Sequence, residues 1–201
     1  MFLTLPREYL AVPSCDLCNN STKLDDEYLR QVMSAAALSQ TGMDVWRNKV
    51  APKLSSHPKT RAGLRDRLSV ASLTVPSLGK VSLPTMSIDR KRMNTSLRKL
   101  VSGLYWFHSG TVLPSDTQLK VIFVSVAELP SHFEDAEKIA IFRKTKPGVY
   151  TDPEVMKTFF YYFAIAGANS LWYFFFYKQN VFIVAAVEPE KTEPPRSDET
   201  T

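Results

Sequence analysis

Thr158-Phe-Phe-Tyr-Tyr-Phe-Ala-Ile-Ala-Gly167-Ala-Asn-Ser170-Leu-Trp-Tyr-Phe-Phe-Phe-Tyr177 carries no charge between Lys157 and Lys178. An uncharged run of that length is enough, in principle, to cross a bilayer as a helix. Its interior argues otherwise. Gly167-Ala-Asn-Ser170 breaks the centre with turn-forming residues, and Phe, Tyr and Trp dominate where a membrane helix would be rich in Leu. Three strands fit better, Phe159 to Ala166, Leu171 to Tyr177 and Val181 to Val187, joined by the Gly-Ala-Asn-Ser and Lys-Gln-Asn turns. Bases can stack on such rings in single-strand binders. No basic residue is interleaved here, so the rings read as core packing in a sheet covered on both faces.

Moving upstream, Thr117 to Ala127 reads as a further buried strand. Before it lies the best helix of the chain, in which Leu97, Leu100, Val101, Leu104, Tyr105 and His108 form one apolar stripe. Lys91, Arg92, Arg98 and Lys99 project from the other side, and Ser109-Gly110 closes the helix. His108 lies on the inward stripe with no ligand spacing around it and reads as a hydrogen-bonded core histidine. Glu134, Asp135 and Glu137 beside His132 read as the acidic start of a helix, complementing its macrodipole, and not as a metal site.

The composition changes character around Val70 to Pro84, where short β-branched runs are broken by Pro76, Gly79 and Pro84, and a strand follows through Thr85-Met-Ser-Ile88. The fold expected is therefore α+β: a helical lobe over 1–69, a lobe over 70–188 with a mainly antiparallel sheet and one long amphipathic helix, and a disordered acidic, Pro-containing tail over 189–201. In the first lobe Phe2-Leu-Thr-Leu5 alternates like an edge strand. A helix beginning at Asp25, which supplies its cap, buries Tyr28, Leu29, Val32, Met33, Ala36 and Ala37, and ends at Thr41-Gly42. A second helix carries Met43, Trp46, Val50 and Leu54 and is kinked or shortened by Pro52, and a third runs from Thr60 to Leu68.

Composition narrows the class. The 201 residues are 44% hydrophobic, ample for a packed core and incompatible with overall disorder. The net charge is +5. Between Glu188 and the end there are five acids against Lys191 and Arg196, which leaves the body at +8. A positive body favours phosphate-bearing or otherwise acidic partners. The densest basic segment holds Arg47, Lys49, Lys53, Lys59, Arg61, Arg65 and Arg67, with Asp66 its single acid. Together with the cations of the long helix, these are the candidate contacts to nucleic acid or an acidic partner, the alternative being a solvated helical face. The two cysteines lie too close together for a disulfide framework, and no signal-peptide pattern opens the chain. A cytoplasmic setting is the simpler expectation, with no membrane segment.

Those cysteines sit in Val12-Pro-Ser-Cys15-Asp-Leu-Cys18-Asn19-Asn20, entering an acidic helix at Asp25-Asp26-Glu27-Tyr28. A Cys-x-x-Cys turn directs two thiolates at one tetrahedral metal, yet zinc in a closed site takes four ligands and the chain holds no other cysteine. Two reduced thiols on a turn remain the alternative. The stretch resembles the second zinc knuckle of treble-clef proteins of the HNH endonuclease family. The likeness extends through the following helix to about Trp46, and Leu97-Arg-Lys-Leu-Val-Ser-Gly103-Leu-Tyr-Trp-Phe-His108 resembles a segment of phage and bacterial HNH-like proteins. The resemblance implies a zinc site at Cys15 and Cys18, completed by histidines or a second chain. It places Asn19 where the family holds a residue that helps retain the catalytic metal.

The family's first Cys-x-x-Cys and its catalytic His have no counterpart among the fourteen residues before Cys15. His57, His108 and His132 fit no catalytic spacing, Cys15 and Cys18 lack a base partner, and no Gly-rich phosphate loop is present. The expected function is thus a non-catalytic, HNH-like, phage- or mobile-element-encoded protein that binds nucleic acid or a nucleoprotein complex. Two other readings stand beside it: an inhibitor that docks on an acidic face of a host defence enzyme, and an HNH nuclease whose start lies further upstream.

Overall fold

The computed structural model describes residues 12, 16–37, 39–75, 79–126, 128–132, 136–149 and 152–189. The strand expected at Phe2 to Leu5, Cys15, and the tail beyond Pro189 lie outside them. The architecture is α+β, with a five-stranded antiparallel sheet, a separate two-stranded ribbon and one long helix.

The aromatic run folds as strands. β5 (Phe159–Ala166), β6 (Asn169–Phe176) and β7 (Asn180–Val187) form a meander. β3 (Gln118–Ser125) and the two-residue β4 (Lys146–Pro147) complete the order β3-β7-β6-β5-β4. Gly167 turns the first hairpin in the left-handed region at φ 60°, where a glycine has no Cβ penalty. The second hairpin places Tyr177 (φ 53°) and Lys178 (φ 58°) there without that relief. Alternation then divides the rings between two cores. Phe159, Tyr161, Trp172, Phe174, Phe176, Phe182 and Val184 face the helices, whereas Tyr173, Phe175 and Val181 face Leu129 of α7 (Leu129–His132) and Phe142 of α8 (Ala136–Arg143).

β3 departs from expectation. It is an edge strand, so its pleat is only partly covered: Val124 is buried while Ile122 and Phe123 are 51% and 41% exposed.

The helical face of the sheet is closed by α6 (Arg90–Ser109), with Leu97, Val101, Leu104 and Tyr105 buried. Asp89 accepts from the Arg92 N–H at its start, and Gly110 at φ 71° ends it. His108 is held on the inward side, its Nε2 2.9 Å from the Tyr161 hydroxyl and its ring stacked 3.8 Å from Phe163.

Against α6 lies α2 (Lys23–Ala35), which contributes Tyr28, Leu29, Val32 and Met33 to the same core as the sheet. Residues from either side of Val70 therefore share one interior. Asp25 does not cap α2. Thr22 holds the cap position, and the Asp25 carboxylate is drawn 2.8 Å from Nε of Arg92, where an ion pair replaces a cap.

Nor does Gly42 terminate a helix. α2 ends at Ala35, and Gly42 lies within α3 (Gln40–Val45), where a Cβ would collide with that of Ala37. Glycine serves close approach at that corner. A π-helical turn, Trp46–Val50, then widens the backbone just before Pro52, whose ring would strike the Asn48 carbonyl in a regular helix. α4 (Ala51–Ser56) and α5 (Pro58–Arg65) follow, α5 starting on Pro58 at its first position and ending three residues short of Leu68. Leu68 instead opens β1 (Leu68–Val75), which pairs with β2 (Gly79–Met86) along its whole length. The strand expected up to Ile88 stops at Met86 because Ser87 to Asp89 form the entry to α6.

Candidate nucleic-acid interface

The acidic start of α2 decides which cations are free to meet a ligand. Asp25 and Asp26 sit one turn into α2, facing the basic side of α6 across the helix pair. Arg92 donates to Asp25 at 2.8 Å and to the Leu24 carbonyl at 2.6 Å, and lies 4.5 Å above the Tyr28 ring. Lys99 donates to Asp26 at 2.7 Å and to Asn19 Oδ1 at 3.2 Å. Arg98 donates to the Thr117 carbonyl, tying α6 to the loop that enters β3. Arg67 is 3.6 Å from Asp89 and stands 4.7 Å from the centre of the same tyrosine ring. Lys53 reaches Glu27, and this hydrogen bond, with Arg30 and Lys23 nearby, holds the Glu27 carboxyl below its ordinary value despite partial burial.

Arg92, Arg98 and Lys99 thus do not form a solvated face opposite the core. They are fasteners: Arg92 and Lys99, two turns apart on α6, reach the adjacent carboxylates Asp25 and Asp26 of α2, and Arg98 reaches the backbone before β3.

Five of the eleven candidate cations behave differently. Arg47 and Lys49 on the π turn, Lys59 and Arg61 on α5, and Lys91 on α6 are exposed and have no acid partner among the described residues. Arg65 has only Asp66, at 3.8 Å with both side chains at least 70% exposed. α5 buries none of its residues, so its cations have no role in packing. Unpaired, hydrated cations on a surface are what phosphate contact requires, since each can release a counterion when it meets a phosphate.

The candidate metal pair is placed only in part. Residues 16–21 form α1 (Asp16–Ser21), so Cys18 belongs to a helical segment where a knuckle would have a turn; Cys15 and the Cys18 side chain lie outside the described residues. Asn19 is exposed and engaged by Lys99. Among the described residues no group of three or more His, Cys, Asp and Glu is gathered closely enough to hold a metal ion. His108 is ringed by Phe107, Tyr161, Phe163 and Trp172, and burial pushes its imidazole below the ordinary value, favouring the neutral form. Tyr177 is fully buried with its hydroxyl unpartnered, and burial drives the phenol far above its usual range. No helix among the described residues is long and apolar enough to cross a membrane.

No family model, no curated protein and no solved structure matches this sequence. The site stands on its own geometry.

Sequence reasoning gathered the cations of residues 47–67 but could not separate bound ones from free ones. That separation depends on α2 and α6 becoming neighbours, although they are more than fifty residues apart in the chain. It also passed over the ribbon tip, whose residues Ser72, Thr74, Lys80 and Ser82 are all exposed. The signal was present as an acid-free run from Arg67 to Ile88.

Proposed function

We propose that this chain binds nucleic acid, or a complex that carries it, through phosphate contacts made by α5 and the π turn, without performing chemistry on its ligand. One observation carries the reading. Arg47, Lys49, Lys59 and Arg61 are exposed and unpaired, whereas the cations of α6 that face α2 are consumed by it. A protein that needed those four charges only for solubility would gain little from holding the whole of residues 47–67 to a single acid, Asp66. Zinc at Cys15 and Cys18 would need further ligands, from histidines or a second chain, and the helical α1 leaves no knuckle turn at Cys18.

The test is direct binding. Fluorescence anisotropy with a labelled mixed-sequence oligonucleotide, at low salt, compares the natural chain with Arg47→Ala/Lys49→Ala/Lys59→Ala/Arg61→Ala. A loss of at least tenfold supports the reading, and unchanged affinity removes it. A protein partner is favoured separately by the open edge of β3, with Ile122 and Phe123 exposed on its two faces. Capture from a lysate treated with nuclease separates the two: a partner held through protein contacts survives the treatment, and one held through nucleic acid does not.

A further inference from the structure

The β1–β2 ribbon stands away from the body. Its strands pack on each other, and among its described side chains Met86, at the root, packs against the main core. The root is fastened by the Ser87 N–H donating to the Arg67 carbonyl at 2.9 Å and by Arg67 pairing with Asp89. A two-stranded ribbon is marginal by itself in water, so a protruding one with full register implies an occupant for one of its faces.

The register states what that face offers. Ser72 pairs with Ser82 and Thr74 with Lys80, and the pleat puts all four on one side at the tip. All four are exposed, and no side-chain hydrogen bond ties any of them to the described residues. On the opposite side Ser69 and Thr85 satisfy each other at 2.7 Å.

We propose that the ribbon enters the major groove of duplex DNA with this tip face inward, while Lys59 and Arg61 of α5 hold the flanking phosphates. This rests on the nucleic-acid reading above and narrows it to a duplex. Three features favour this occupant. No acid occurs between Arg67 and Ile88, so nothing on the ribbon repels a polyanion. Hydroxyls and a lysine can donate to base edges and phosphates alike. A two-stranded ribbon also matches the width of that groove, and eight residues at ~3.3 Å each span most of a helical turn.

The experiment uses the full chain with a 20-base-pair DNA duplex, the same sequence as duplex RNA, and one of its single strands. In Ser72→Glu the exposed tip gains a negative charge without placing like charges across one register pair, and the fold is expected to hold, checked by an unchanged circular dichroism spectrum and melting temperature. Duplex DNA affinity should fall at least tenfold, and duplex RNA, whose major groove is too narrow and deep to admit a ribbon, should bind weakly from the start. Equal affinity for both duplexes, or duplex DNA binding unchanged by the tip variant, overturns groove entry. If Lys59→Ala/Arg61→Ala still weakens binding in that case, phosphate contact survives without the ribbon. If neither variant matters, the nucleic-acid reading fails with it. Val70→Glu supplies the remaining arm: loss of a dimer in sedimentation, with DNA affinity intact, would make the ribbon a self-association arm and overturn the proposal.

Discussion

Replacing Arg92 with alanine should loosen the seam between α2 and α6 and leave the ligand surface alone. Three contacts are lost at once: the ion pair to Asp25 at 2.8 Å, the donation to the Leu24 carbonyl at 2.6 Å, and the guanidinium 4.5 Å above Tyr28. The pair is partly exposed, with side-chain exposures of 33% and 23%, so water and salt reduce it to about 0.5–1 kcal/mol. The charged hydrogen bond to a carbonyl adds about 1 kcal/mol and the ring contact ~0.5–1 kcal/mol. Because one side chain makes all three, the expected loss is about 2 kcal/mol, or about 4–8 °C in Tm for a chain of this size. Urea unfolding followed by tryptophan fluorescence reads it. Arg92→Lys should recover roughly half, since an ammonium keeps the charge but not the fork or the flat stacking surface. An Arg92→Ala/Asp25→Ala cycle should show coupling near 1 kcal/mol. A loss below about 0.5 kcal/mol, or additive single effects, would mean that the seam is held by its apolar side chains alone and that Arg92 is as available to ligands as Arg61.

Further outcomes follow from single positions. Gly148→Ala places a Cβ 2.5–2.8 Å from the Tyr161 ring, which is 1% exposed and cannot retreat, so stability should drop by about 1–3 kcal/mol in the same assay. The His108 pKa is lowered from 6.5 by burial, so the unfolded chain binds the proton more readily. Stability from this site is complete above about pH 6.5 and declines as pH falls through 6.5 toward the lower folded value, and His108→Phe should flatten the urea midpoint over that window. Lys178→Gly should stabilise by about 1 kcal/mol by relieving a side chain at φ 58°, seen as a higher Tm.

Much of the fold was legible because it is written in local pattern. The three aromatic strands announce themselves by turn residues at Gly167 and around Lys178, and the α6 stripe by its 3.6-residue period. What the pattern hides is partnership across the chain. Asp25 has the chemistry of a cap and serves Arg92, and Gly42 has the chemistry of a stop and serves a tight corner against Ala37. β3 reads as buried because its composition is apolar, but its place at the sheet edge leaves Ile122 and Phe123 in solvent. Strand order is not encoded in the strand itself. The candidate surface followed the same rule: the density of cations over residues 47–67 was visible, and their division into fastened and free required α2 to dock on α6.

The most direct test is the salt dependence of oligonucleotide binding by the intact chain. Each phosphate contact should contribute about 0.7–0.9 to the slope of log K against log salt, with the lower value for single strands. Removing Arg47, Lys49, Lys59 and Arg61 together should therefore reduce that slope by about 3 units, while Lys99→Ala, which breaks a contact within the protein, should leave it unchanged. Affinity independent of salt from low to physiological ionic strength, or a slope altered equally by Lys99→Ala and the fourfold variant, would contradict phosphate binding by this surface.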